Sequence, residues 1–236
     1  MSVRVYITIG MTIEESIFDR RQTISVTEFD ACSSIDVDID KFNTNAVLPY
    51  GLTIDSIYHA MCDFVSFSNV VSKQLNANSM DRLESIMMPA SYSSMVSEFM
   101  VNNLEKHSSS LVKNIYHNGH PDLVPSGVYQ NNSCQYGSEG IEVKSSRYDK
   151  NWQGHNAENS WIMVFCFESN RPVDKITPIP FRFKHVYLAK LDKDDWNVSA
   201  DNPYGRRTRT ATINKFGHKK LTTNWIYNGG NKNDRV

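Results

Sequence analysis

A run of seven consecutive apolar residues, from Trp161 to Phe167 (WIMVFCF), sets the main limit on the folds open to this 236-residue chain. The run is too short to cross a membrane, because a spanning helix needs about 20 apolar residues. Its β-branched and aromatic residues are typical of a strand. A strand without a polar face must be covered on both sides of its sheet. The run therefore predicts a mixed α/β (α+β) domain in which helices flank a central mixed β-sheet.

Three stretches before this run have the periodicity of helices. Residues 52–75 place apolar side chains at helical spacing behind Thr53, which suits the N-cap position. Residues 79–88 predict a shorter helix that Pro89 ends, and residues 91–115 predict a longer one. The longer helix is expected to direct three apolar side chains towards the core: Met95, Phe99 and Leu104.

Strand patterns dominate the second half of the chain. Three further strands are predicted, at GIEVKSS (140–146), FRFKHVYLAKL (181–191) and RTRTATI (207–213). Residues 214–220 (NKFGHKK) predict a turn, and residues 221–228 (LTTNWIYN) close the fold. Near the other end, residues 3–9 alternate as a strand, while residues 33–43 fit either a short strand or a loop.

Charge is distributed unevenly, although the formal net charge is only −1. Residues 1–110 carry 7 basic and 14 acidic side chains, whereas residues 181–236 carry 12 basic and 5 acidic ones. A basic segment of this kind is typical either of a surface that meets a polyanion or of a solvated tail.

Several classes of protein are disfavoured by the motifs that the sequence lacks. The four cysteines show no C-x-x-C spacing, so we expect reduced thiols and neither a zinc knuckle nor a disulfide framework. His117 and His120 have an H-x-x-H spacing, but no third soft ligand lies near them. No glycine-rich phosphate loop appears, and we expect no small-molecule organic cofactor. The N-terminal stretch is unlike a signal peptide, which predicts a cytoplasmic protein with no membrane partner.

Asp122, Glu142 and Lys144 form the most informative set of polar residues. Glu142 and Lys144 are two apart in a predicted strand and therefore share a face, while Ile141 and Val143 point to the core. The 20-residue interval from Asp122 to Glu142 contains one proline and three glycines. These turn-forming residues allow the segment to fold back and bring the two acids together.

Hydrolysis of a phosphodiester needs these side-chain types. Two carboxylates can hold Mg²⁺, which neutralises charge on the phosphate and activates a water molecule. A lysine ammonium can orient the nucleophile and offset developing negative charge. A Pro-Asp dipeptide or an E-x-K triplet alone often marks only a turn or a solvated pair. Their order and strand context lead us to predict Asp122, Glu142 and Lys144 as catalytic, with Asp122 and Glu142 holding Mg²⁺.

The sequence HPD (120–122) followed by GIEVKSS resembles the PD-(D/E)xK nuclease superfamily, and within it the type II restriction endonucleases. The matching residues are Pro121 and Asp122 for the first element, and Glu142, Val143 and Lys144 for the second. The resemblance covers about residues 90–170. It implies a restriction-endonuclease-like core, Mg²⁺-dependent cleavage of double-stranded DNA, and commonly a homodimer. Many members add an acid from the preceding helix, for which Glu98 and Glu105 are both candidates, Glu98 nearer the packed side.

Two segments are equipped to contact DNA. The first follows the lysine and contains Arg147, Tyr148, Lys150, Gln153, His155 and Asn156. Arginine and amide side chains suit base edges, although here they could instead satisfy a turn beside packed Trp152 and Trp161. The second segment contains Arg206, Arg207, Arg209 and Lys215. Its cations suit phosphate contacts, with a solvated edge as the alternative.

These features predict a Mg²⁺-dependent, sequence-specific DNA endonuclease of a bacterial or archaeal restriction-modification system. We expect a single domain over residues 1–236, with an N-terminal elaboration (1–88), a catalytic core (89–190) and a basic DNA-contacting part (191–236). Three alternatives stay open. They are a DNA repair or structure-selective nuclease with the same core, a non-catalytic DNA-binding module on an inactivated core, and an interaction protein with a fortuitous motif.

Overall fold

The computed structural model describes residues 27–154, 156–174, 177–198 and 210–230. Within these ranges the helices are α1 (Glu28–Ala31), α2 (Ile54–Ala77), α3 (Leu83–Ile86), α4 (Pro89–His107) and α5 (Lys215–Thr223). Short 3₁₀ turns lie at Ile39–Lys41, Gln130–Asn132 and Lys193–Asp195. None of the described helices is long and apolar enough to cross a membrane.

The described strands belong to two sheets. They are β1 (Leu111–Lys113), β2 (Leu123–Pro125), β3 (Ile141–Ser146), β4 (Gln153–Gly154), β5 (Trp161–Glu168), β6 (Arg182–Lys190), β7 (Trp196–Val198), β8 (Ala211–Ile213) and β9 (Trp225–Asn228). The main sheet has the order β1-β2-β3-β5-β6-β9, and the small sheet has the order β4-β8-β7. Strands β3 and β5 pair in parallel and the other neighbours are antiparallel. The main sheet is therefore mixed, as predicted.

Strand β5 is buried on both faces, which confirms the expectation from the apolar run. Three of its side chains join a first core with α2 and α4: Met163, Phe165 and Phe167. The three between them join a second core on the opposite face: Ile162, Val164 and Cys166. The second core is completed by side chains from the small sheet, α5 and adjoining loops, including Trp152, Trp196, Ile213 and Leu221. The main sheet thus has a packed layer on each side.

The two long helices are formed as the sequence predicts. Helix α2 begins after Thr53, whose Oγ1 accepts the Ser56 N–H at 3.0 Å and satisfies one of the unpaired donors of the first turn. The core positions predicted for α4 all contact the first core: Met95, Phe99 and Leu104.

Three helix boundaries differ from the prediction. Residues 79–88 form a helix only at Leu83–Ile86, and Pro89 begins α4, a position where its missing N–H costs nothing. The predicted helix over 91–115 ends at His107, where the side chain of Ser108 accepts the backbone N–H groups of Ser110 and Leu111. The chain then continues as β1, because the serine hydroxyl satisfies backbone donors that would otherwise favour another helical turn.

The predicted turn over 214–220 is wrong, because residues Lys215–Thr223 form helix α5. Asn214 caps this helix by accepting the N–H groups of Phe216 and Gly217. Gly217, which suggested a turn, is instead a point of close packing, since a Cβ there would lie 2.8 Å from the Asp195 carbonyl oxygen.

Other expectations are met in part or fall outside the described residues. Residues 33–43 form a loop with one 3₁₀ turn and no strand, the second of the two alternatives. Of the predicted strand 207–213, the described part forms β8, while residues 207–209 and 3–9 lie outside the described ranges. The cysteines are free: Cys32 and Cys166 are buried, and Cys62 and Cys134 are half-buried.

Candidate active site

Strand β3 places Glu142 and Lys144 on one face, with Nζ of Lys144 3.1 Å from Oε1 of Glu142. The alternate residues Ile141 and Val143 are buried in the first core on the opposite face. The packing of these two apolar side chains fixes the register of the strand, because a shift by one residue would exchange the two faces. The geometry therefore holds both polar groups against the side of the sheet that carries the second core.

Asp122 reaches the same place from the start of β2. Its Oδ2 accepts the backbone N–H of Val143 at 2.8 Å, which ties the carboxylate to the middle of β3. The 20-residue segment folds back because β2 pairs antiparallel with β3 at Leu123 and Ile141. Gly140 permits this approach, since it has φ of +143° and a Cβ there would collide with the Leu123 carbonyl oxygen. The structure thus brings Asp122, Glu142 and Lys144 together.

Two further side chains join this cluster. Nδ1 of His120 lies 2.8 Å from Oε2 of Glu142, and Nζ of Lys144 lies 3.3 Å from Oε1 of Glu158. One potential ligand atom from each of His120, Glu142 and Glu158 lies within 4.8 Å of the other two. Sequence reasoning named His120 only for its H-x-x-H spacing and for the HPD motif, and it did not name Glu158.

Glu158 is positioned by contacts from distant parts of the chain. The indole Nε1 of Trp196 donates to the Glu158 carbonyl oxygen at 3.0 Å. Gly154 leaves room for the carboxylate, because a Cβ there would lie 2.6 Å from Oε1 of Glu158. The one local signal for Glu158 is that it lies three residues before β5, whose first residue pairs with the first residue of β3.

The cluster holds its charges in a low-dielectric setting. Burial raises the pKa of Asp122 to about 7, and the negative charge of Glu142 adds to the shift. Burial also opposes ionisation of Glu142, but Lys144 and His120 outweigh it and lower the pKa of Glu142 to about 2. Burial likewise raises the pKa of Glu158. Glu142 is therefore the carboxylate that stays ionised most readily, and Asp122 and Glu158 have the higher affinity for protons.

The same carboxylates raise the pKa values of the two basic residues of the cluster, Lys144 and His120. Burial disfavours the charged form of Lys144, but Glu142 and then Glu158 outweigh it and raise its pKa to about 12. Burial also disfavours protonation of His120, but the hydrogen bond to Glu142 outweighs it and raises the pKa of His120 above its ordinary value. Lys144 is accordingly a fixed positive charge between two carboxylates.

Two cavities meet at the acids. A cavity of about 710 Å³ is lined by His120, Asp122, Glu142 and Glu158, among others, and one of about 350 Å³ is lined by Asp122, Glu142 and Lys144. Glu98 of helix α4 lines the smaller cavity, with its carboxylate 3.2 Å from Nζ of Lys113. Glu105 instead accepts the Lys113 backbone N–H at 2.9 Å and secures the start of the sheet. Of the two candidate helix acids, the cavity therefore contains Glu98. The expectation that Glu98 lies nearer the packed side is wrong, because Glu98 is exposed and Glu105 is half-buried.

Asp122 and Glu142 fit a hard divalent cation by the chemistry of their donor atoms. Both are carboxylates that line the same two cavities, and Mg²⁺ is usually held by one or two carboxylates with waters retained. Asp122 is tied by the Val143 N–H to the residue that follows Glu142 on β3, which brings the two carboxylates to the same cavities. These residues could hold Mg²⁺ between them.

Arg147 is used for packing within the protein. Its guanidinium lies 4.9 Å from the ring centroid of Tyr92 and 5.2 Å from that of Phe167, and it donates to the Asn170 carbonyl oxygen at 3.0 Å. Trp152 is buried, and its Nε1 donates to the Tyr148 carbonyl oxygen at 2.8 Å. For these two residues the contacts correspond to the structural alternative that the sequence left open.

The other predicted DNA contacts divide by position. The exposed ones are Tyr148, Lys150, Gln153, Asn156 and Lys215. Gln153 lines the smaller cavity and Asn156 the larger one, so both lie beside the acids. Lys215 lies at the start of α5, away from the cavity linings. Four lie outside the described residues: His155, Arg206, Arg207 and Arg209.

Comparison of the chain with known protein families, with curated proteins and with solved structures gave no match in any of the three.

Proposed function

We propose that the protein is a Mg²⁺-dependent endonuclease that hydrolyses phosphodiester bonds of double-stranded DNA, with a restriction-endonuclease-like core. The observation that carries the proposal is the tie between Asp122 and the E-x-K strand. The Asp122 carboxylate accepts the Val143 N–H at 2.8 Å, between Glu142 and Lys144 on the same strand. This contact joins residues 21 apart in sequence, so the fold brings together the two parts of the motif.

Each residue has a distinct role in the proposed reaction. Asp122 and Glu142 would hold the cation, and the bound Mg²⁺ would offset charge on the phosphate and lower the pKa of a water molecule. Lys144 would supply a positive charge close to the attacked phosphate, and its two carboxylate contacts keep it protonated and aligned. His120 would orient the Glu142 carboxylate through its 2.8 Å contact. Glu98 is the proposed additional acid, because it lines the cavity that contains Lys144.

DNA is the proposed substrate because exposed polar side chains surround the acids. Gln153 and Asn156 line the two cavities, and their amide groups suit adenine edges. Residues 181–236 carry 12 basic and 5 acidic side chains, an excess that suits phosphate contacts. By its resemblance the protein is proposed to act as a homodimer on a palindromic site, in the cytoplasm of a bacterium or archaeon.

Cleavage of a long, sequenced viral DNA in the presence of Mg²⁺ tests the proposal. We expect discrete fragments from the wild-type protein and a loss of at least 100-fold in rate for both Glu142→Gln and Lys144→Ala, since each removes a group that acts on the transferring phosphate. Electrophoretic mobility shifts should show that both variants still bind DNA. Wild-type cleavage rates in either variant would contradict the assignment.

The matched control is Glu168→Gln. Glu168 ends β5, away from the cluster, where its carboxylate pairs with Arg182 at 2.6 Å. This variant should cut at a rate within about twofold of the wild type, because Glu168 is partly exposed and belongs to neither cavity that contains the acids. Cleavage that requires a mismatch or a branch would assign the core to a repair nuclease. A shifted complex with no product at any Mg²⁺ concentration would instead indicate a DNA-binding module.

A further inference from the structure

The cluster contains one buried carboxylate oxygen with no hydrogen-bond partner. Glu158 is 9% exposed, and its Oε2 contacts no donor in the described part of the chain. An ionised carboxylate can accept at both oxygens, and leaving a buried acceptor unpaired costs about 1–3 kcal/mol. Such atoms are rare in folded proteins, and a bound water molecule or an ion explains many of them.

Lys144 contacts one carboxylate oxygen of each of two glutamates, so the second oxygen of each can bind a metal ion. Its Nζ contacts Oε1 of Glu142 and Oε1 of Glu158, at 3.1 and 3.3 Å. The second oxygen of Glu142 lies 2.8 Å from Nδ1 of His120, a hydrogen-bond distance, and a metal ion bound to both atoms would replace this hydrogen bond. The second oxygen of Glu158 is the unpaired one. The ammonium and a metal ion could therefore share the two carboxylates, each using one oxygen of each residue.

Formal charge supports the same conclusion. With Asp122, Glu142 and Glu158 ionised and Lys144 protonated, the cluster carries three negative charges and one positive charge. This excess of negative charge favours a bound cation, because buried charges are stable only when they are balanced.

His120 has the second contact that a metal-binding histidine usually has. Its Nε2 lies 3.4 Å from Oγ of Ser160, which is fully buried and immediately precedes β5. A metal-ligating imidazole commonly donates its other ring N–H to a fixed acceptor, and this fixes the tautomer with the free nitrogen on the metal side. At this site a metal ion would take the place of the Nδ1 proton that hydrogen-bonds to Glu142, and that proton would be released on binding.

We propose that His120, Glu142 and Glu158 form a site for a divalent transition-metal ion such as Mn²⁺, separate from the Asp122–Glu142 pair and sharing Glu142 with it. One imidazole nitrogen and two carboxylate oxygens suit this class of ion better than Mg²⁺, which prefers oxygen ligands alone. The inference goes beyond the proposed nuclease function, because the ion can bind whether or not DNA is cut.

Titration of the full-length protein with Mn²⁺, followed by the loss of the free-ion electron paramagnetic resonance signal, tests the proposal. The wild-type protein should bind one Mn²⁺ at this site at least tenfold more tightly than Mg²⁺, measured by competition. Glu158→Gln should weaken Mn²⁺ binding by tenfold or more, and Glu168→Gln should leave it unchanged. Mn²⁺ binding by a folded Glu158→Gln protein with wild-type affinity would overturn the proposal.

A second measurement covers the case in which Glu158→Gln does not fold. Anomalous scattering from Mn²⁺-soaked wild-type crystals should show an ion in contact with His120, Glu142 and Glu158. An ion bound by Asp122 and Glu142 without His120, or no ion at all, would contradict the proposal. The outcomes are distinguishable from those for the nuclease. If the wild-type protein binds Mn²⁺ at this site but does not cleave DNA, only the nuclease proposal is rejected. If it cleaves DNA with Mg²⁺ but does not bind Mn²⁺ here, only the metal-site proposal is rejected.

Discussion

Asp63 links the two long helices through a single carboxylate oxygen. Its Oδ2 lies 2.6 Å from Nζ of Lys106 and 2.8 Å from Nε2 of His107. Burial opposes ionisation of Asp63, but the hydrogen bonds from these two residues outweigh it and lower the pKa. A carboxyl group with a lowered pKa in the folded state stabilises the fold above its unfolded pKa of about 3.9, and this contribution is lost as the pH falls through the folded pKa.

We therefore expect Asp63→Asn to lower the free energy of unfolding at pH 7, and the difference from wild type to vanish at acidic pH. The expected loss is at most about 1 kcal/mol, because Asp63 is 33% exposed and solvent screens its charge. Urea unfolding at a series of pH values measures it. Asp81→Asn, at an exposed acid outside this contact, should change stability by less than about 0.5 kcal/mol. A pH-independent difference for Asp63→Asn would contradict the assignment.

Some site residues are positioned by near neighbours in the sequence and others by distant ones, and this difference explains which of them the sequence could predict. Glu142 and Lys144 share a face because side chains alternate along a strand, a rule that needs only neighbouring residues. Glu158 depends on the Trp196 indole and on the space left at Gly154, and neither contact leaves a pattern near Glu158 in the sequence. Arg147 could not be distinguished from a DNA contact, because its aromatic partners come from another helix and another strand.

The elements whose apolar residues recur at a regular spacing were predicted from the sequence. The helix whose start depends on a capping residue and on tertiary packing was not. Strand β5 and helix α2 each bury a continuous pattern, so periodicity alone was sufficient. Helix α5 has few apolar residues, and its start depends on the Asn214 cap and on Gly217 packing against Asp195. A glycine among lysines favours a turn by local preference, and tertiary packing outweighs this preference here.

Helix α3 is held in place by one buried arginine. The Arg82 side chain is 1% exposed, and its guanidinium contacts carboxylate oxygens of Glu28 at 3.0 Å and Glu84 at 2.6 Å. It also donates to Oδ1 of Asn170 at 2.7 Å and to the Ile179 carbonyl oxygen at 2.9 Å. One side chain thus ties the segment around α1 and α3 to the loop that connects β5 and β6.

Arg82→Met should lower the free energy of unfolding by about 3–5 kcal/mol, because it leaves the buried carboxylate of Glu84 without a partner. Urea unfolding measures the loss. The double variant Arg82→Met with Glu84→Leu should recover part of the stability, since no buried charge then remains. Arg171→Met, which breaks a surface pair with Asp174, should lower the free energy of unfolding far less, because solvent screens this pair. A loss of that smaller size in Arg82→Met would show that the guanidinium contacts contribute little.

For the molecule as a whole, the central sheet couples two cores. Strand β5 sends alternate side chains into the core beneath α2 and α4 and into the core beneath the small sheet and α5. If one core unfolds, one face of β5 becomes exposed to solvent. The strand is then less stable, and the other core, which packs on its opposite face, is weakened as well. This shared strand gives a physical reason for the expectation that the chain forms a single domain, and it predicts one cooperative unfolding transition.

Leu104→Ala and Leu221→Ala test this coupling, because each opens a cavity in a different core. Both leucines are fully buried, and each substitution should lower the free energy of unfolding by about 2–5 kcal/mol. Trp152 and Trp196 lie in the second core, and Trp161 packs against the first. In a Trp161→Phe background, tryptophan fluorescence therefore reports mainly on the second core, while far-ultraviolet circular dichroism reports mainly on α2 and α4. In both variants the two signals should change at the same urea concentration, because unfolding either core exposes β5. Earlier loss of the fluorescence signal in Leu221→Ala, with the helical signal retained, would mean that the layer containing α5 unfolds independently of the rest.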